Sequence, residues 1–370
     1  MTSRRQILKA ALLLPISSRS FSVEQPRLEI GARGNEPVIV VTPWGQHVVP
    51  TIDTYIDIET YRTLRPGQAW SEGIPIDHRL REDYRAGRLR LRRYPWRVMD
   101  GIYVLGAQGQ EQQTYLVDTG DGLILIDPSL ETWQDEIVAQ IYELRYQPSD
   151  VRWVLLTHCH IDHSQACHQW RQRGAQIMAG EGDAHPLETC NSLVESWIVD
   201  SMLAEIGRPA PAISERCTPS PIDRRISDGD VLRLGSVTLH SISTPGHTPG
   251  STCYYLARDK KHVLISGDIA LHNGRHAWMA NPYANWEQYL AALEKLSHFT
   301  LEGRRIHFDV LLPGHGTVDL EQAQRSVDET LRVVRTLVAR RAAGEQIDWI
   351  DVYHWNWTQG VVYAPEGGGR

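Results

Sequence analysis

The stretch THCHIDH, Thr157 to His163, sets three histidines and an aspartate within six consecutive positions. The run before it, VRWVLL from Val151 to Leu156, is apolar and rich enough in β-branched and aromatic residues to read as a buried strand. The cluster therefore sits where a core strand ends. Imidazole and carboxylate are the ligands that a borderline-soft divalent metal such as zinc selects. In an extended loop the side chains of His158, His160 and Asp162 share one direction, and His163 points elsewhere. Cys159 then faces away from the ligands and reads as structural. One short loop is too little for two metals, so the reading demands further His or Asp residues at other strand ends.

Three such positions exist: His247 in STPGHTPGS, Asp268 in LISGDIA and His315 in LLPGHGT. Each follows an apolar run and stands beside Gly or Pro, which let the backbone turn sharply and return a side chain toward a common centre. A lone histidine after a strand is usually a core or capping residue. Three of these sites in one chain with the cluster make a metal centre the better reading.

The rest of the chain reads as α/β. From Gly101, IYVLGA, TYLVD and GLILID are short strands separated by turn residues, which suggests consecutive antiparallel pairing. Helical spacing of Trp133, Ile137, Ile141 and Leu144 predicts a helix over Glu131 to Gln147. Residues 183 to 222 read as a helical insertion and a Pro-rich linker. Four strands follow, in DVLRLGSVTLHSIS, STCYYLA and KHVLISG, then a helix in WEQYLAALEKLSHF, another strand in VLLPGHG and a long helix over LEQAQRSVDETLRVVRTLVARRAAG. The domain reading is 1–25 as an export signal, 26–99 as an N-terminal extension, 100–335 as the main domain, and 336–370 as a helix end with a Trp-rich tail. Trp349, Tyr353, Trp355, Trp357 and Tyr363 of that tail go either against the chain's own core or into a homodimer contact.

Bulk properties narrow the function classes. The 370 residues are 41% hydrophobic and carry a net charge of −7, which allows a sizeable core and argues against a general nucleic-acid binder. Five cysteines make an odd count without zinc-ribbon spacing, so buried or free thiols are expected rather than a disulfide framework. The start, TSRRQILKAALLLPISS, pairs Arg4 and Arg5 with a short apolar run, too short for a membrane span. It resembles a twin-arginine export signal, which implies a periplasmic or otherwise exported protein; a cytoplasmic one is the alternative.

The ordered set His158, His160, Asp162, His163, His247, Asp268 and His315, with Asp127 after LILI, resembles the metallo-β-lactamase superfamily over about residues 100 to 335. The resemblance implies a four-layer αβ/βα sandwich with two Zn2+ at one edge between the sheets. It implies a first metal on His158, His160 and His247 and a second on Asp162, His163 and His315. Asp268 would bridge both, and Asp162 and Asp268 would be the catalytic carboxylates. An anionic bridge offsets the repulsion of two close cations. Asp127 is expected to hold the ligand loop from behind or simply to cap its strand. His272, Asn273, Arg275 and His276 form a polar group just past the bridge and are candidate substrate contacts.

Within that family an aspartate at position 268 points to glyoxalase II-like, lactonase-like and phosphodiesterase members rather than to antibiotic hydrolysis. Two features depart from the relatives. Ser164-Gln165-Ala166 stands where many carry glycines, and no Tyr follows Asp268 as it does in acyl-homoserine lactonases. The expected function is a dinuclear hydrolase acting on an ester, thioester or lactone of a small molecule. The alternative is a mononuclear Fe2+ sulfur dioxygenase of the persulfide type, since His and Asp suit iron as well as zinc. A phosphodiesterase and a β-lactamase rank below these, and a non-catalytic binding module lowest.

Overall fold

The computed structural model describes residues 95–106, 112–190, 218–271, 283–315 and 318–345, isolated positions between 274 and 281, and the backbone of four short strands outside these ranges. The expected export signal, most of the N-terminal extension, residues 191–217 and all of the aromatic tail except 361–363 lie outside the described residues.

The strands in chain order are β1 (Val38–Thr42), β2 (Gly45–Val49), β3 (Leu89–Leu91), β4 (Trp96–Met99), β5 (Ile102–Leu105), β6 (Thr114–Asp118), β7 (Leu123–Ile126), β8 (Val151–Leu155), β9 (Gln176–Gly180), β10 (Arg224–Ile226), β11 (Val231–Leu234), β12 (Val237–Ser243), β13 (Thr252–Arg258), β14 (Lys261–Gly267), β15 (Thr300–Leu301), β16 (Arg304–Arg305), β17 (Val310–Pro313), β18 (Val318–Asp319) and β19 (Val361–Tyr363). The helices are α1 (Gln134–Glu143), α2 (Ile161–Ser164), α3 (Cys167–Gln172), α4 (Glu181–Thr189), α5 (Trp286–Ser297) and α6 (Ala323–Ala342).

Two large sheets form. One is seven-stranded, ordered β10-β9-β8-β7-β6-β5-β4, and the other eight-stranded, ordered β11-β12-β13-β14-β17-β18-β19-β3. In the first, β4 to β7 pair antiparallel, as short turns between them require, and β7 to β10 pair parallel across helical crossovers. In the second, β11 to β14 pair antiparallel, and β17 joins β14 in parallel after the crossover through α5. β4 is the edge strand of the seven-stranded sheet, so the fold takes in residues just before 100.

Period-2 alternation builds three apolar layers. Ile124 and Ile126 of β7 and Leu155 of β8 face Tyr254, Leu256 and Ile265 of the second sheet, in one core between the sheets. The alternate residues Leu123, Leu125 and Val154 turn outward and are covered by Ile137 and Ile141 of α1, Trp170 of α3 and Leu187 of α4. On the far side, Cys253, Tyr255, Leu264 and Leu311 are covered by Tyr289 and Leu293 of α5 and Val327 and Val334 of α6. With both faces of each sheet buried, the result is the expected four-layer αβ/βα sandwich.

Three sequence-based expectations need correction. The helix expected over 131–147 begins as a single 3-10 turn at Glu131–Trp133 and ends at Glu143. Arg145 takes a positive φ, and Gln147 is held extended by the proline after it. The stretch expected as an insertion begins later than 183: α4 starts at Glu181 and its Leu187 packs into the outer core of the first sheet, while 191–217 lie outside the described residues. The cysteines are not all thiols either. Cys159, Cys167 and Cys253 are free and buried, whereas Cys190, at the end of α4, is disulfide-bonded.

The loop before β13 depends on a glycine. Gly246 has φ +139, and a Cβ there would run into the backbone of Tyr289 in α5. Its carbonyl accepts from Asn285 N at 2.7 Å, which fastens the loop to the start of α5. Gly246→Ala is expected to cost about 2 kcal/mol or more, from overpacking and unfavourable φ together. Thermal and urea unfolding against the wild type measures it; equal stability would refute the close approach.

Candidate metal centre

Strand direction brings the chemistry to one edge. β7, β8 and β9 run parallel, so Asp127, the His cluster and Asp183 all follow their C-terminal ends. β12 and β14 flank the antiparallel β13 and β17 parallels β14, so His247, Asp268 and His315 leave the second sheet on a common side. The sheets are tied at that edge by Thr252 N to Thr157 O at 2.8 Å, Gln113 N to Gly314 O at 2.8 Å, and Tyr254 Oη to Leu156 O at 2.7 Å.

The seven expected side chains meet there. Ligand atoms of His158, His160 and His247 lie within 4.8 Å of one another, and so do those of Asp162, His163 and His315. Asp268 stands between the triads. Its Oδ2 is 3.4 Å from His247 Nε2 and 3.4 Å from His315 Nε2, and its Oδ1 is 3.6 Å from His163 Nε2. One expectation about how the cluster works is corrected. His158 and His160 leave the strand in a loop, but Asp162 and His163 belong to the single helical turn of α2. The turn swings both toward His315, with Asp162 Oδ2 3.1 Å from His315 Nε2 and 3.5 Å from His163 Nε2.

The donor set fits divalent cations. His160 Nε2, both ring nitrogens of His247 and Asp268 Oδ1 are buried without a hydrogen-bond partner, a costly arrangement unless another species satisfies them. His163 Nε2 and His315 Nε2 face each other at 3.1 Å. Burial lowers the pKa of His158 and His160 well below the usual histidine range, with His163 beside His158 and His247 beside His160 adding to the effect. Both are therefore neutral, the form that ligates. Burial opposes charge on Asp268, but His315 and His163 outweigh it and hold the carboxyl well below the usual carboxylate range. Burial likewise opposes charge on His163, but Asp162, Asp268 and Asp127 push its pKa up to about 10. The carboxylates of the centre thus stabilise positive charge among its ligands.

Asp127 lies directly behind this set. Its Oδ1 accepts from Thr157 N at 2.8 Å, and its Oδ2 from Thr157 Oγ1 at 2.6 Å, while His163 Nδ1 is 3.0 Å from Oδ2. That bond leaves His163 Nε2 aimed at the centre. Asp127 has φ +51, a conformation that places its carboxylate back across the strand end. His272 and Arg275 lie outside the described residues, as does Asn273. His276 is buried, its ring packed against Trp286 at a centroid distance of 5.6 Å and its Nδ1 2.6 Å from Ala277 O.

Several residues that matter here went unnoticed in the sequence. Gly314 has no room for a Cβ, which would strike Asp268 Oδ1 and approach His163 Cε1. Gly267, at φ +50, likewise faces Thr157. Asp183 accepts from Cys159 N, Thr248 Oγ1 and Gly250 N. The glycine beside each ligand was visible as a turn residue, but what it makes room for is set by the opposite sheet.

Residues 108–302 match the family model of the Metallo-beta-lactamase superfamily, and the chain belongs to that superfamily. His315 lies beyond the matched stretch and is brought in by β17. An acyl-coenzyme A thioesterase of Gallus gallus is 29% identical over 162 residues, 43% of this chain and 54% of that protein. An atrochrysone carboxyl ACP thioesterase of Aspergillus fumigatus is 26% identical over 237 residues, 62% of this chain and 60% of that protein. The matches thus span little more than half the length of these two relatives. The crystal structure of a subclass B3 metallo-beta-lactamase of Bradyrhizobium japonicum superposes with a TM-score of 0.52 at 24% identity, over 69% of this chain and 97% of that one. At that identity the likeness speaks for the fold.

Asp127→Ala removes the acceptor of both Thr157 donors and frees the His163 ring. It is expected to weaken metal binding by roughly 10- to 100-fold, read by chelator competition. Wild-type affinity in a folded variant would show that Asp127 only caps its strand.

Proposed function

We propose that the protein is a metal-dependent hydrolase with a dinuclear centre, acting on a carbonyl-type bond, with thioesters the first class to test. The observation that carries this reading is Asp268 standing between two complete ligand triads. His158, His160 and His247 would hold one ion, Asp162, His163 and His315 the other, with one carboxylate shared. Bound there, a divalent pair supplies a water acidified to near-neutral pKa and an electrophile for a carbonyl oxygen. Zinc is the ion we expect, on the strength of the nitrogen-rich first triad.

The chain's own residues do the remaining work. Asp268 keeps a fixed negative charge between the triads, which lowers the repulsion of two cations held close together. Asp162 is on the side of the centre that opens to solvent, its side chain 12% exposed against 0% for His163. Although burial opposes its charge, His163 and His315 hold its carboxyl far below the usual carboxylate range, so it stays ionised and accepts a hydrogen bond that orients an attacking water. His315, at 15%, shares that opening, so substrate approaches on the Asp162–His315 side. The buried floor of Gly314, His163 and His158 excludes bulk water from beneath.

The thioester emphasis rests on the named activities of the two thioesterase relatives, and ester and lactone bonds belong in the same panel because they break by the same carbonyl addition. The disulfide at Cys190 is of a kind that an oxidising compartment preserves, which supports the exported location that the twin-arginine-like start suggests.

Elemental analysis of protein purified without added metal is expected to give near two zinc per chain, and chelation to abolish hydrolysis of an acyl thioester, with recovery on adding zinc back. One iron per chain with oxygen uptake on a persulfide would overturn the hydrolase. Asp268→Asn is expected to slow turnover by at least about a hundredfold while the fold survives. Unchanged turnover in that variant would remove the bridging role.

A further inference from the structure

Asp183 has no place in the chemistry above, yet it is wholly buried and holds two ligand loops at once. Its Oδ2 accepts from Cys159 N at 2.9 Å, between His158 and His160, and from Thr248 Oγ1 at 2.7 Å, next to His247. Its Oδ1 accepts from Gly250 N at 2.6 Å. All three ligands of the first triad therefore hang on loops gripped by one carboxylate. Asp127 reaches both triads: it touches His163 directly and also Thr157, whose Oγ1 lies 3.1 Å from His158 Nδ1, but none of the donors to Asp183.

The seat of Asp183 is built by close backbone approach. A Cβ on Gly180 would strike Gly250 O, one on Gly182 would strike Pro249 O at 2.6 Å, and one on Gly250 would strike Asp183 itself. Three residues without side chains thus bring the start of α4 hard against the loop that carries His247. Among the described residues no lysine or arginine is ion-paired with Asp183. A buried carboxylate without a cationic partner is unfavourable unless a charge nearby offsets it, and both loops that Asp183 grips carry ligands of the first triad.

We propose that Asp183 is a positioning residue of the first metal site alone, so that the first site can be weakened without the second. This rests on the dinuclear reading. The test isolates each site: His315→Ala cripples the second triad and leaves the first, and His247→Ala does the reverse. Zinc affinity is measured by chelator competition in each background, with Thr248→Val or Asp183→Asn added. In the His315→Ala background both additions are expected to weaken zinc binding by roughly 10- to 100-fold, and in the His247→Ala background by less than about threefold.

Equal weakening in both backgrounds would make Asp183 a general structural residue and overturn the proposal, as would no weakening in the first. Circular dichroism and thermal melts establish folding. Should Asp183→Asn fail to fold, Thr248→Val decides, because it keeps the side-chain shape and removes one donor. Wild-type protein that binds fewer than two zinc ions would overturn the dinuclear reading itself, a result distinct from either pattern in the variants.

Discussion

Groups from two different sheets have to meet within a few ångström, and a slip of one sheet past the other by a single residue would part them. Thr252 N donating to Thr157 O is the bond that fixes this. It joins the strand that follows the His247 loop to the residue that precedes His158. Tyr254 Oη on Leu156 O and Tyr115 Oη on Pro313 O repeat the lock on either side, and each uses an inward-facing tyrosine as a strut through the apolar core. The hydrophobic faces bring the sheets together without fixing their offset, because burial is non-directional. Directional bonds at the metal edge supply what burial does not.

The same edge is where polar groups concentrate in an otherwise apolar sandwich. Each bears on a neighbour: Asp127 on His163, Asp183 on Cys159 and Thr248, Asn281 on the carbonyl of His247. Backbone turns in unusual conformations cluster here too, with Asp127, Ser129, Gly246 and Gly267 all at positive φ. Such conformations cost free energy unless their surroundings impose them. Here they are imposed from both sheets at once, which is a reason to read the edge as a functional surface.

Much of this was legible in the sequence because alternation and ligand spacing are local. The strands around Ile124, Val154 and Leu264 announce themselves by apolar runs bounded by turn residues, and the ligands by standing at the ends of those runs. What was not legible is non-local. The helical turn that redirects Asp162 and His163 reads equally well as extended chain over so short a span. Asp183, two residues into a helix that looked like the start of an insertion, shows its purpose only when the loop at Thr248 folds against it. The early end of α1 at Glu143 is marked by the left-handed backbone of Arg145, which the apolar spacing of Trp133, Ile137 and Ile141 does not announce.

Gly314 gives the centre a floor of bare backbone beneath Asp268 and His163. A side chain cannot be introduced there to reshape the cavity, and the buried walls are committed to holding ligands. Variation in what the protein accepts is therefore confined to the rim, where loops can lengthen or change composition without disturbing the His and Asp cluster. Such a partition lets specificity drift while reactivity stays constant, and one scaffold can then come to serve substrates of very different size.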